Sequence, residues 1–145
     1  MTKSVLKGCF LKAMQDVIEN DDGTAATQKT HSALAEEVDA FLVDHPAKIP
    51  KVGKKLSEQD KAALDSCFAP VVQSGGAYDL SANAESNGEA LKYDVIIASL
   101  GARYQGYCSW VTRTYFVDAT DEQVSFLVCT VTFYANLAHS LTRSP

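Results

Sequence analysis

Residues 93–117 constrain the fold more than any other stretch, because they hold two strand-forming runs joined by a glycine-containing connection. The runs cover residues 93–99 and 107–117, and Gly101 and Gly106 lie between them. This arrangement predicts an antiparallel hairpin. The first run is nearly all apolar, which predicts a strand covered on both faces. The second run carries aromatic and β-branched residues, which favour strands. We therefore expect the hairpin to form the centre of a sheet.

Apolar residues at three-and-four spacing predict three longer helices around this hairpin. They cover residues 5–19, 32–43 and 121–141. Helices packed on an antiparallel hairpin sheet define the α+β class. The candidate N-caps are Thr30 or Ser32 for the second helix, and Thr120 or Asp121 for the third.

Shorter elements are predicted between the second helix and the hairpin. Ser57 followed by Asp60 is typical of a helix cap, and the short helix should end near residue 65. Residues 68–73 are typical of a short buried strand. Residues 44–57 are rich in proline, glycine and lysine and predict an exposed loop. Its lysines either form a solvated surface or contact nucleic acid or an acidic partner.

Composition limits the classes of function. The chain has 145 residues and 46% hydrophobic content, which suits one domain with a real core. Its four cysteines form no Cys-x-x-Cys pair, which favours a reducing compartment over a disulfide framework or a zinc site. The three isolated histidines do not predict a metal site, and we expect His31 to cap or pack a helix. A net charge of −5 argues against non-specific DNA binding but is compatible with a basic protein partner.

The second strand of the hairpin also carries a pattern found in a known enzyme family. It begins with Gly106-Tyr107, and Arg113-Thr114 and an aromatic residue follow after five residues. This pattern resembles the metal-binding hairpin of creatinase, prolidase, aminopeptidase P and methionine aminopeptidase, the pita-bread enzymes. The resemblance implies two metal-binding aspartates, eleven residues apart, at the positions of Ser99 and Trp110. It also implies a substrate-binding histidine at the position of Ala82.

These three positions hold side chains that cannot perform the enzymatic roles. A hard divalent metal needs anionic carboxylate oxygen, which neither the hydroxyl of Ser99 nor the indole of Trp110 supplies. Without a metal there is no activated water for peptide hydrolysis. The three replacements therefore predict a degenerate aminopeptidase-like fold with no catalytic residues, no metal and no cofactor.

Three ordered motifs extend the resemblance to a branch of this fold that has lost the metal site. Over residues 5–125 they resemble the large subunits of FACT, the histone chaperone complex that facilitates transcription through chromatin. The motifs are Thr30-His31-Ser32-x-Leu34-Ala35, Gln73-Ser74-Gly75-Gly76-x-Tyr78-Asp79-Leu80, and Ser99-Leu100-Gly101-x-Arg103-Tyr104-x-x-Tyr107-Cys108-Ser109 with Arg113-Thr114.

The FACT resemblance implies a function, partners and a location. We expect a chromatin-bound nuclear module that binds either or both core histone pairs while nucleosomes are reorganised in transcription, DNA replication and DNA repair. The small HMG-type subunit of FACT would bind regions outside this chain. Neither membrane association nor sequence-specific DNA binding is expected.

The resemblance covers the first half of a pita-bread lobe, which is built from two similar α/β halves. Residues 1–145 are therefore expected to form one partial aminopeptidase-like domain with no second domain. Such a half-lobe should leave apolar surface exposed. Whether the chain is a complete product, a fragment or a piece that needs a partner stays open.

Four hairpin residues are candidates for a retained binding surface near the former metal site, because arginine and tyrosine are common at binding hot spots. For Arg113 the alternative is an ion pair with a buried carboxylate. Two other functions stay open, a metal-dependent aminopeptidase, which Ser99 and Trp110 oppose, and an inactive scaffold half-domain. The four candidates are Arg103, Tyr104, Tyr107 and Arg113.

Overall fold

A computed structural model describes residues 2–20, 28–49, 56–93 and 95–142. The three longer helices and the hairpin that the sequence predicts are all present, whereas most of the lysine-rich loop lies outside the described residues. In chain order the elements are helix α1 (Thr2–Val5), a π-helical turn (Leu6–Phe10), helix α2 (Leu11–Glu19), helix α3 (His31–Asp44), a 3-10 turn (Pro46–Lys48), helix α4 (Glu58–Ala62), strands β1 (Leu64–Ser66), β2 (Val71–Ser74), β3 (Val95–Tyr104) and β4 (Tyr107–Phe116), and helix α5 (Asp121–Thr142).

Strand β3 is the centre of an antiparallel sheet. β4 pairs with β3 along its whole length, from Val95 opposite Phe116 to Tyr104 opposite Tyr107. β1 pairs with the last residues of β3, and β2 pairs with residues nearer its start. Because β4 occupies one edge of β3, β1 and β2 must follow each other along the other edge.

The hairpin turn is shorter than the sequence predicts. β3 continues through Gly101, which pairs with Trp110, and the turn consists of Gln105 and Gly106 alone. Both turn residues have positive φ, 48° and 84°, as a two-residue hairpin turn that matches strand twist requires. The prediction that the first strand ends at Ser99 is therefore wrong.

The two faces of the sheet are covered to different degrees. Ile96, Ala98 and Leu100 point to one face and are buried against the helices, together with apolar residues of α2 and α3. Ile97 and Ser99 point to the other face and are half-buried. The prediction of a strand covered on both faces is therefore wrong, since only the helix face forms the main core.

The N-terminal helix is one rod with a wider turn inside it. Residues Leu6–Phe10 are wound as a π-helix between α1 and α2. The apolar stripe predicted from the sequence is buried, and Phe10 stacks on Tyr115 of β4 with ring centroids 5.5 Å apart. The hydroxyl of Thr2 donates to the carbonyl oxygen of Ser109 at 3.0 Å, which attaches the rod to β4.

Two short elements differ from the sequence prediction. Ser57 and Asp60 form the expected capping box, but α4 ends at Ala62 and the next residues form β1. β1 is held to β3 by backbone pairing and by an ion pair between Arg103 and Asp65. The predicted strand at residues 68–73 is instead Val71–Ser74.

Helix α5 begins where the sequence predicts, with the Thr120 hydroxyl accepting from the Gln123 amide at 3.3 Å. Its described apolar side chains face solvent, and Phe126 is 74% exposed. The expected exposure of apolar surface is thus present on α5, whereas the assignment of the chain to one half of a lobe stays a prediction. Within the described ranges, no helix is long and apolar enough to cross a membrane.

Candidate functional site

A cavity of about 600 Å³ opens on the face of the sheet that points away from the helices. Six residues on or beside the sheet form its floor, and residues 79–85 form its opposite wall. Ser99, Trp110 and Ala82, the three positions to which the resemblance assigns functional side chains in the enzymes, all line this cavity. The floor residues are Phe68, Val71, Ile97, Ser99, Trp110 and Thr112.

The register of the hairpin explains why Ser99 and Trp110 meet. Ser99 is opposite Thr112, and Trp110 lies two residues before Thr112 on the same strand. Side chains two residues apart in a strand share a face. Ser99 and Trp110 are therefore diagonal neighbours on the cavity face.

A chain of hydrogen bonds fixes the indole in the cavity. Trp110 Nε1 donates to Thr112 Oγ1 at 2.9 Å, and Thr112 Oγ1 donates to Ser99 Oγ at 2.9 Å. Phe68 packs on the indole edge-to-face, with centroids 6.3 Å apart. Trp110 is nevertheless 71% exposed, so the indole is fixed in position but is open to solvent and is not part of the core.

The wall formed by residues 79–85 is attached to β2 at both ends. The buried amide of Gln73 accepts from the Asp79 backbone N–H at 2.9 Å and donates to the Asp79 carbonyl at 3.0 Å. The Ser86 hydroxyl accepts from the Val72 amide at 2.8 Å and donates to the Pro70 carbonyl at 3.2 Å. The cavity is therefore pre-formed by side-chain to backbone bonds.

The carboxylate of Asp79 contributes negative charge to the cavity. It accepts from the Ser81 amide at 2.8 Å, and this backbone hydrogen bond lowers the pKa of Asp79 below its ordinary value. Glu85 also lines the cavity, and no lysine or arginine does so among the described residues.

The donor set does not fit the two-metal centre of the pita-bread enzymes. Ser99 offers a neutral hydroxyl that is already bonded to Thr112, and Trp110 offers an indole with no lone pair for a metal. Among the described residues, no three histidine, cysteine, aspartate or glutamate side chains are grouped so that they could hold a metal ion.

The structure distributes the four candidate binding residues over both faces of the hairpin, and it pairs Tyr104 with Tyr107. Tyr104, Tyr107 and Arg113 occupy register positions on the helix face of the sheet, opposite to the cavity. Arg103 shares the cavity face but is paired with Asp65. Three of them therefore lie on the face opposite to Ser99 and Trp110, and their role in binding stays a prediction.

Two of these side chains have structural partners instead. The Tyr104 hydroxyl donates to Asp60, which raises the pKa of Tyr104 and lowers that of Asp60. Arg103 lowers the pKa of Asp65 through its hydrogen bond. Arg113 is exposed and donates to the Thr112 carbonyl at 2.8 Å. The alternative of a buried carboxylate partner for Arg113 finds no support in the described part of the chain.

His31 has the packing role that the sequence predicts. It is 1% exposed, and its ring nitrogens lie 2.6 Å from Asn87 Oδ1 and 2.7 Å from Ser74 Oγ. Thr30 caps α3 by accepting from the Ala33 amide. The first two sequence motifs thus meet at one buried histidine outside the cavity.

Comparison with known proteins decides the family. The model of metallopeptidase family M24 matches residues 6–138. The chain belongs to metallopeptidase family M24. Its fold is accordingly that of the pita-bread proteins, here as helices and an antiparallel sheet.

Within family M24 the chain is similar to subunits of the FACT complex. The FACT complex subunit SPT16 of Gibberella zeae is 40% identical over 120 residues, which is 80% of this chain and 11% of that protein. The same subunit of Arabidopsis thaliana is 44% identical over 123 residues, 83% of this chain and 10% of that protein. The chain thus spans about a tenth of the length of these relatives.

Solved structures agree with this placement. The N-terminal domain of FACT complex subunit SPT16 from chickpea matches with a TM-score of 0.71 and 39% identity, covering 84% of this chain and 26% of that one. The corresponding domain from Eremothecium gossypii has a TM-score of 0.65 over 98% of this chain and 34% of its own, and at 24% identity it supports the fold alone.

Sequence reasoning missed the wall of the cavity. Asp79 and Leu80 belong to the second motif, and the Gln73 side chain that positions Asp79 begins it. The spacing of a buried glutamine six residues before an aspartate was the available signal. It carries no meaning until the turn at Gly75 and Gly76 brings the two together, and both glycines have positive φ.

Proposed function

We propose that this chain is a non-catalytic, aminopeptidase-like module of a FACT-type histone chaperone. It binds core histones while nucleosomes are reorganised in transcription, replication and repair, and it acts in the nucleus on chromatin. The observation that carries the proposal is the cavity lined by Ser99, Trp110 and Ala82, the three positions to which the resemblance assigns the metal ligands and the substrate-binding histidine of the enzymes. None of these three side chains is a carboxylate or an imidazole.

Similarity and charge support a histone partner. The similar proteins are named as FACT complex subunits. The chain has a net charge of −5, and two carboxylates line its cavity, so a basic protein is electrostatically complementary. The small HMG-type subunit of FACT is expected to bind other parts of the complex.

The alternative of a metal-dependent aminopeptidase is disfavoured by chemistry. Peptide hydrolysis in this family needs a metal-activated water. Replacing two carboxylates by a hydroxyl and an indole removes the anionic ligands that a hard divalent metal requires. Membership of family M24 therefore does not extend to its activity.

Titration of the purified, folded chain against the two core histone pairs tests the proposal. We expect saturable binding to at least one pair that persists near physiological salt and does not change when Mn²⁺ is added. A thermal-shift assay with Mn²⁺ is run in parallel, and no stabilisation by the metal is expected.

Two results would count against the proposal in different ways. A folded chain that binds neither histone pair would leave the module as a scaffold. A rise in melting temperature that depends on Mn²⁺ would favour the metal-dependent aminopeptidase. Hydrolysis of a peptide substrate would then be measured.

A further inference from the structure

The exposed indole of Trp110 is the feature of the cavity that indicates a binding site. Its Nε1 is already bonded to Thr112 and one edge is packed against Phe68, so neither explains the 71% exposure of the side chain. An aromatic side chain held in place with an open surface is a binding platform, because its ring needs no ordering when a ligand arrives. An indole offers the best aromatic surface for a cation.

The electrostatics of the cavity select the sign of the ligand. Asp79 and Glu85 line it, and among the described lining residues no lysine or arginine offsets them. The hydrogen bond from the Ser81 amide to Asp79 keeps that carboxylate positioned on the wall. A cation near the carboxylates and the indole would be attracted by both, and because all three side chains are exposed, this attraction should weaken as salt is added.

The walls are suited to one side chain on an extended segment. The Gln73 and Ser86 bonds hold both ends of the 79–85 wall, so the cavity does not have to form on binding. Val71 and Ile97 give the floor an apolar part. An aliphatic stem that ends in a charge, as in lysine and arginine, matches an apolar floor with a negative rim.

We propose that the cavity binds a lysine or arginine side chain of a protein partner, with the cationic group over the Trp110 indole and near Asp79 and Glu85. The choice of a protein as the ligand rests on the proposed function. The assignment of a cation rests on the cavity itself. The site takes the place of the metal centre: the protein now binds the positive charge of a partner where the enzymes bind a metal.

Trp110 is the only tryptophan of the chain, so its fluorescence reports directly on the cavity. The full chain is titrated with a blocked pentapeptide that has one central lysine between alanines, and with matched peptides that carry Nε-acetyl-lysine or norleucine. We expect a saturable change with lysine that weakens with salt, and at least about tenfold weaker binding of the two neutral peptides. Arginine should bind like lysine or better.

Substitutions separate the site from general charge attraction. The double variant Asp79→Asn and Glu85→Gln keeps the hydrogen-bond acceptor of residue 79 and the fluorescent reporter, and we expect at least about fivefold weaker binding of the lysine peptide. The variant Trp110→Ala lacks the fluorescent reporter, so its binding of the lysine peptide is measured by calorimetry. We expect this binding to be lost. Phe126→Ala removes a similarly exposed aromatic side chain of helix α5 that does not line the cavity, and it is the matched control, with unchanged binding expected.

The possible failures are distinguishable. Equal binding of the lysine and norleucine peptides would overturn the assignment of a cation. So would an unchanged affinity in the double variant, or no saturable response to any peptide. Because the peptide titration contains no histone, a chain that binds the lysine peptide but neither histone pair would contradict the proposed function alone. A chain that binds histones equally well with and without Trp110 would contradict this site alone.

Discussion

His31 shows how one buried polar residue joins distant parts of this chain. It starts α3, while Ser74 ends β2 and Asn87 lies in the segment before β3. Its two partners are themselves bonded to the backbone, Ser74 Oγ by the Lys92 amide and Asn87 Oδ1 by the Glu89 amide. Removing the ring would therefore affect three segments at once.

We expect His31→Ala to destabilise the chain by about 2–4 kcal/mol. The change leaves a cavity in a buried site and removes two side-chain hydrogen bonds, each of which contributes about 1 kcal/mol. Urea unfolding followed by circular dichroism measures the loss. His31→Gln, which keeps a hydrogen-bonding side chain, should lose less.

His45→Ala is the matched control for this substitution. His45 is exposed, and within the described ranges its ring makes only an edge contact with Phe41, with centroids 6.3 Å apart. We expect it to cost less than about 1 kcal/mol. Equal losses for the two variants would contradict the role assigned to His31.

At the scale of a single element, Gly101 explains how β3 passes beneath the floor of the cavity. A Cβ at this position would lie 2.2 Å from Cys67 Sγ and 2.5 Å from Phe68 Cε1. The glycine is required by this close approach, since the backbone does not need a positive φ there. Phe68 in turn packs against Trp110, so space at Gly101 positions the indole.

Gly101→Ala is expected to cost about 1–3 kcal/mol, because the thiol and the phenyl ring must both move to admit a methyl group. The Trp110 emission should shift as Phe68 leaves its edge. Urea unfolding and fluorescence spectra measure the two effects. Gly88→Ala, where a Cβ would meet nothing within 4 Å, should change neither. A Gly101→Ala chain with unchanged stability and emission would show that the floor is not packed as described.

The same glycine marks the limit of prediction from sequence. Apolar periodicity predicts the helices and the hairpin because each is a local pattern, and the motifs predict that Ser99 and Trp110 are related. The sequence alone predicts that Gly101 lies in the turn, since glycine in isolation favours turns. Its place inside β3 depends on Cys67 and Phe68, which are more than thirty residues away. β1 was missed for the same reason, because it pairs with β3 only in the folded chain.

For the molecule as a whole, the shifted ionisable groups predict how stability varies with pH. The pKa values of Asp60, Asp65 and Asp79 are all lowered by hydrogen bonds in the folded chain. Lowered carboxyl pKa values contribute stability that is present above the unfolded pKa and is lost as the pH falls through the folded pKa. We expect a decline on the acidic side from these exposed bonds.

At alkaline pH the stability should depend on buried groups that lose a proton there, and the Cys9 thiol is the clearest case. Burial in the core, with a smaller contribution from Glu37, raises the pKa of the Cys9 thiol from 9.0 to about 11. Between these values the unfolded chain loses its proton while the folded chain keeps it, so the free energy of unfolding falls as the pH rises. The loss attributable to Cys9 is on the order of 2 kcal/mol between pH 8 and pH 11.

Comparison with Cys9→Ala isolates this effect, since burial also raises the pKa of Tyr115 and that of Cys67 in both chains. The free energies of unfolding are measured in urea, under reducing conditions, at several values of pH from 7 to 11. We expect the wild-type chain to lose more stability than the variant over this interval, and the two curves to be parallel below pH 8. Parallel curves up to pH 11 would contradict a raised pKa for the Cys9 thiol. They would mean that the packing of the N-terminal rod, including the contact of Phe10 with Tyr115, does not shield the thiol from water.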